Sequence, residues 1–102
     1  MNRKHIAFFS QTGGEIVALA TALNRWPDLI ITNKPTLEGI HDRILNEAFG
    51  SIVMIPNKPS IEEYETAIGL AYDKNPVITL HGYLRVIPRE ICSQYEMYNG
   101  HP

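Results

Sequence analysis

Ile6-Ala7-Phe8-Phe9-Ser10-Gln11-Thr12-Gly13-Gly14-Glu15-Ile16 is the stretch whose reading decides the fold. Four consecutive apolar side chains leave no face of a strand for water, so Ile6 to Phe9 reads as a strand buried on both sides. The polar turn behind it closes on two glycines. From Glu15 onward, Ile16, Leu19, Ala20 and Leu23 follow the three-and-four spacing of one helix face. A doubly buried strand, a glycine turn and an amphipathic helix open a βαβ unit, and such units build parallel sheets with right-handed crossovers.

Outward from that stretch the alternation continues. Trp26-Pro27 stops the first helix, and Asp28 to Thr32 is a second strand closed by Asn33-Lys34-Pro35. Leu37, Ile40, Ile44 and Ala48 predict a second helix ended by Gly50, with His41 on its apolar stripe as a packed residue. Ile52 to Ile55 is a third strand, cut off by Pro56. Ser60 and Glu63 have capping-box spacing ahead of Tyr64, Ala67, Ile68 and Ala71, which predicts a third helix. Val77 to Leu80 is a fourth strand. Pro88 suits the first turn of a short helix through Ile91 and Tyr95, and Met97-Tyr98-Asn99 begins a fifth strand. The fold class is α/β, a Rossmann-like parallel sheet with flanking helices, in one domain from 1 to 102.

Composition excludes several function classes. A chain of 102 residues with a net charge of −2 lacks the basic field of a nucleic-acid binder, so no nucleic-acid partner is expected. Cys92 is the single cysteine, which rules out an internal disulfide and a cysteine zinc cluster and fits a reducing compartment. No apolar run approaches the roughly 20 residues of a membrane helix, and the start does not resemble a signal peptide. A cytoplasmic protein without a membrane partner is expected. Nothing in the sequence signals an oligomeric state.

In open parallel sheets, ligands sit beyond the carboxyl ends of the strands. Those ends are Ser10 to Gly14, Thr32 to Lys34, Ile55 to Lys58 and His81 to Ile87. Thr12, Gly13 and Gly14 are candidate substrate-binding residues, because free N–H groups at a helix N-terminus favour an anion. Thr12 and Glu15 also have capping-box spacing, which would place a carboxylate there instead, and a tight strand-to-helix turn explains the glycines without a ligand. His81-Gly82-Tyr83-Leu84-Arg85-Val86-Ile87-Pro88 is a second candidate. Its alternative reading is a surface Arg85 among core apolar residues.

Asn99-Gly100-His101-Pro102 closes the chain. Strand alternation puts Asn99 and His101 on one side. An amide donor beside an imidazole suits stabilisation and protonation of an oxyanion formed at a carbonyl; a polar terminal turn is the alternative. No pair of histidines has the spacing of a metal site.

Taken together, these segments resemble the N-terminal domain of the folate-dependent formyltransferases, the family of glycinamide ribonucleotide and methionyl-tRNA formyltransferases. The similarity runs from the first strand to Pro102. Gly82, Tyr83, Leu84 and Arg85 match the family's glycine-aromatic-methionine-arginine segment, with Leu84 for methionine. Asn99, His101 and Pro102 match its asparagine-x-histidine-proline motif, and Thr32-Asn33-Lys34-Pro35 looks like the turn after its second strand.

The resemblance implies formyl transfer from 10-formyltetrahydrofolate to a small-molecule amine. It implies a folate pocket lined by Leu84, Arg85, Val86 and Ile87, and a catalytic pair, Asn99 and His101, stabilising the tetrahedral intermediate. The family's third catalytic residue, an aspartate some tens of residues past the histidine, has no counterpart here. The expectation is therefore a truncated domain that carries part of the site. The glycinamide ribonucleotide enzymes hold their substrate's phosphate with a glycine-serine-asparagine turn and an arginine early in the third helix; Gly13-Gly14-Glu15 and Ile61 stand in those places. The reading from a different class is a non-catalytic α/β module that binds a small ligand or a partner chain.

Overall fold

The computed structural model describes residues 3–99. Five strands, β1 (His5–Phe9), β2 (Leu29–Thr32), β3 (Ile52–Met54), β4 (Val77–His81) and β5 (Glu96–Asn99), form one sheet in the order β3-β2-β1-β4-β5. All four pairings are parallel. The apolar run of β1 sits at the centre, where both faces must be covered. Ile6 and Phe8 join Ile31, Ile78, Tyr64, Ile68 and Ile91 in one core. Ala7 and Phe9 join Ile16, Val17, Ile30 and Ile44 in the other. The helices α3 (Ile61–Gly69) and α4 (Arg89–Cys92) therefore cover one face, and α1 (Gly14–Leu23) and α2 (Asp42–Glu47) the other.

The chain moves outward from β1 through β2 to β3, then crosses back to place β4 on the far side of β1. The connections leaving β1 and β4 part in opposite directions, and their carboxyl ends flank a crevice at this switch point.

Several elements differ from the sequence reading. The buried side of α1 is Ile16, Val17 and Ala20, and Leu23 is exposed. Ile16 and Ala20 keep their expected places on the buried face, and Val17 joins them. The capping box expected of Thr12 and Glu15 is absent: Thr12 Oγ1 accepts the Gly14 N–H at 3.2 Å instead. The segment from Leu37 to Ile40 is a turn, broken by left-handed Gly39 (φ +82°), although Ile40 is still buried. His41 is no packed stripe residue. It is the N-cap of α2, its Nδ1 accepting the Arg43 N–H at 3.1 Å. Its own N–H donates to the Thr12 carbonyl at 2.8 Å and ties α2 to the β1 turn.

The Ser60–Glu63 capping box forms as the spacing predicts, with both reciprocal bonds present. It contributes on the order of 1 kcal/mol to the start of α3. The last helix is a single turn with Pro88 as its N-cap, and Tyr95 lies beyond it.

Candidate functional site

The crevice between β1 and β4 opens into a hollow of about 250 Å³ lined by Gln11, Thr12, Gly13, Gly14, Glu15, His81 and Gly82. Thr12, Gly13 and Gly14 thus share one cavity wall. A side chain at Gly13 would crowd the core, because its Cβ would stand 2.4 Å from Ile44 Cδ1. The N-terminus of α1 is a poor anion site, since Thr12 already takes the Gly14 N–H and Glu15 places a carboxylate in the first turn.

That carboxylate faces a histidine. Glu15 Oε1 lies 3.6 Å from Nδ1 of the buried His81, longer than a hydrogen bond and ionic only when the ring is protonated. His81 Nε2 meets Thr79 Oγ1 at 2.7 Å, and the same hydroxyl meets His5 Nε2 at 2.7 Å. One hydroxyl carries one hydrogen, so it can donate to at most one ring, and the other ring must donate to it. Burial holds the His5 pKa below its ordinary value; His81 and Arg25 push the same way, and Asp28 opposes them. Nothing in the sequence reading joined His5, Thr79, His81 and Glu15. The signal was the two-residue spacing of Thr79 and His81, which puts both on one face of β4.

A second cavity, about 340 Å³, lies over β4 and β5 and is lined by Leu80, Tyr83, Arg85, Val86, Ile87, Cys92, Met97, Tyr98 and Asn99. Asn99 pairs with Leu80 in the sheet register, at the carboxyl end of β5. The loop that forms the other wall leaves β4 through left-handed Gly82 (φ +67°). Tyr83 folds back onto Phe8, edge to face at 5.3 Å between ring centres, and its hydroxyl meets that of Tyr64 at 2.7 Å. Burial first, and the Tyr64 contact next, raise the Tyr83 pKa far above the ordinary tyrosine value, so this hydroxyl stays protonated. At the loop's other end Ile87 belongs to the core.

Between those anchors the chain is open to water. Leu84 is 68% exposed and Val86 93% exposed. Of the four residues expected to line a folate pocket, Arg85, Val86 and Ile87 line this cavity and Leu84 stands outside it. His101 lies outside the described residues, so the structure positions one member of the expected catalytic pair.

A roomier hollow of about 440 Å³ lies between β3 and α3, lined mainly by apolar residues with Glu62 and Glu63 at its rim. Glu63 is committed to the capping box, and the hollow brings no acid–base constellation together. Among the described residues no group of three or more histidines, cysteines and acids could hold a metal ion. No helix among them is long and apolar enough to cross a membrane.

No protein-family model matches the chain, and no curated protein matches it. Its structure is similar to the crystal structure of phosphoribosylglycinamide formyltransferase from Anaplasma phagocytophilum, with a TM-score of 0.68 and 16% sequence identity over 92% of this chain. A likeness at that identity shows the fold, and the fold is formyltransferase-like: a parallel α/β sheet flanked by helices. The chain spans about half of that protein, 48% of its length.

Proposed function

We propose that this chain carries the folate-binding side of a formyltransferase, which moves the formyl group of 10-formyltetrahydrofolate to an amine. One observation supports the reading above the others. Arg85, Val86 and Ile87, from the loop that resembles a folate pocket, line a single cavity with Asn99, from the motif that resembles the catalytic pair. The two segments are separate in the sequence, and the pairing of β4 with β5 brings them together.

In the proposed reaction the amine nitrogen attacks the formyl carbon, and the carbonyl oxygen gains negative charge. The Asn99 amide is suited to donate to that oxyanion, and such a donor contributes roughly 2.7–4 kcal/mol in comparable sites. The bond from carbon to N10 then breaks, N10 takes a proton, and the amine loses one. His101 is the proposed carrier of that proton.

The switch-point hollow is the proposed acceptor site. Glu15 stands where the resembling glycinamide ribonucleotide enzymes bind phosphate, with His81 beside it. Ile61, in place of their arginine, packs its side chain against the core. A phosphate there would meet a carboxylate and no cation from α3, so the acceptor is an amine that lacks a phosphate at this position.

The test is tetrahydrofolate binding followed by amide NMR. Shifts confined to Gly82 to Ile87 and the end of β5, and lost in Arg85→Ala, are the expected result. Shifts at the hollow between β3 and α3, or no binding at millimolar ligand, would sink the reading. Turnover by these residues alone, followed as tetrahydrofolate release with a panel of amines, is expected to be undetectable, because an imidazole without its orienting carboxylate is not held to the roughly 0.5 Å that catalysis needs.

A further inference from the structure

Polar groups at the carboxyl edge of the sheet close into a belt. The Leu84 N–H donates to Ser10 Oγ at 2.8 Å, and the Ser10 hydroxyl donates to Asn33 Oδ1 at 2.7 Å. Asn33 Nδ2 donates to Asn57 Oδ1 at 3.1 Å, and Arg85 Nε donates to the Asn57 carbonyl oxygen at 2.9 Å. The belt begins and ends on adjacent residues of one loop. Between them it passes over the ends of β1 and β2 and the segment that follows β3.

Each link uses a different donor and a different acceptor atom. Asn33, in the middle, is 7% exposed, and both polar atoms of its amide are engaged. Turning that amide over would set its NH₂ group against the serine and its oxygen against the oxygen of Asn57. A buried amide so placed strongly prefers one orientation.

Packing does not hold the middle of the loop, where Leu84 and Val86 face water. Tyr83 and Ile87 anchor its two ends in the core. The placement of Arg85 between them therefore depends on the belt. Its Nε is fixed on Asn57, which leaves the Nη groups as the part of the fork that can meet a ligand.

We propose that Ser10, Asn33 and Asn57 are positioning residues of the ligand loop, which set ligand affinity through Arg85 without touching the ligand. The proposal rests on the function proposed above only in naming that ligand a folate. Ser10 has a double place in it, because the turn it opens, Gln11 to Gly14, lines the neighbouring acceptor hollow. One hydroxyl ties the turn that lines one cavity to the loop that lines the other.

The experiment is a double-mutant cycle on tetrahydrofolate affinity, measured by calorimetry on the chain as it exists. Ser10→Ala is expected to weaken binding about five- to tenfold, the loss of one or two hydrogen bonds' worth of positioning. Ser10→Thr, which keeps the hydroxyl, is expected to restore most of it. In an Arg85→Ala background, Ser10→Ala should have no further effect, because the residue through which it acts is gone. Unchanged affinity in Ser10→Ala, even with a lowered melting temperature, would leave the belt a purely structural feature and overturn the proposal. A full additional loss in the double variant would overturn it too.

Should tetrahydrofolate bind none of these proteins, the folate reading fails and the belt is still decided. Hydrogen exchange of the Leu84 amide and of Arg85 Nε–H is then the measurement. Slow exchange in the wild type and fast exchange in Ser10→Ala support the belt; equal exchange in both refutes it.

Discussion

Gly13 and Gly82 both take left-handed backbone just past the end of a central strand, at φ +81° and +67°. Their surroundings differ. A Cβ on Gly13 would meet Ile44 Cδ1 at 2.4 Å with the Phe9 ring close behind, whereas on Gly82 its nearest neighbour is Gln11 Oε1 at 3.7 Å. The β1 turn is held by the core pressing on its backbone. The β4 loop is held by a tyrosine at one end, an isoleucine at the other and hydrogen bonds between. The first construction defines a cavity wall that cannot shift without disturbing β1 and α2. The second leaves a loop whose exposed side chains, Leu84 and Val86, can change without touching the core.

The largest effect expected of a single change follows from that contrast. Gly13→Ala should cost about 1–2 kcal/mol for left-handed backbone and roughly 1–3 kcal/mol more for overpacking, read as a drop in the urea midpoint. Adding Ile44→Val, which removes the clashing Cδ1, should return part of the overpacking loss. If the second change only adds its own cost, Ile44 is not what the new methyl meets.

Gly82→Ala should cost the backbone share alone, about 1–2 kcal/mol. Equal losses at the two glycines would erase the contrast. A loss at Gly82 as large as the sum expected at Gly13 would show that the β4 loop, too, is set by packing.

The smallest effect concerns pH. His5 has its pKa lowered chiefly by burial, from an ordinary 6.5. The unfolded chain therefore takes up this proton before the folded one does. Stability is full above about pH 6.5, and this contribution is lost as pH falls through that value toward the folded pKa. Urea midpoints measured between about pH 7 and pH 5 should decline in the wild type and decline less in His5→Gln. Parallel declines would assign the slope to other groups.

The sheet was legible in the sequence for a simple reason. A strand covered on both faces has no polar alternation, and Ile6 to Phe9, Leu29 to Thr32 and the run from Val77 show that directly. The second helix is shorter than its apolar spacing predicts because burial and helicity are separate properties. Ile40 is buried as its spacing requires, yet left-handed Gly39 and the capping His41 make it part of a turn. Leu84, expected in the pocket, stands outside the cavity that Arg85, Val86 and Ile87 line, because only the course of the loop decides which of its side chains face it. The belt could not be read at all. Ser10, Asn33, Asn57 and Arg85 are each ordinary at a strand's end, and only the strand order brings them within bonding distance.

That strand order also has a consequence for how the chain comes together in time. Of the five described strands β1 is made first, and its partners lie 23 positions downstream on one side and 72 on the other. Closing the second ladder requires a loop several times longer than the first, and rates fall as such distant pairings come to dominate. During synthesis the β1–β2 edge can form seconds before Val77 to His81 exist. Through that interval the flank of β1 facing the future β4 is an unpaired strand edge, the kind that seeks other chains. Within that sheet, the most deeply buried strand of the finished protein is the one that waits longest to be enclosed.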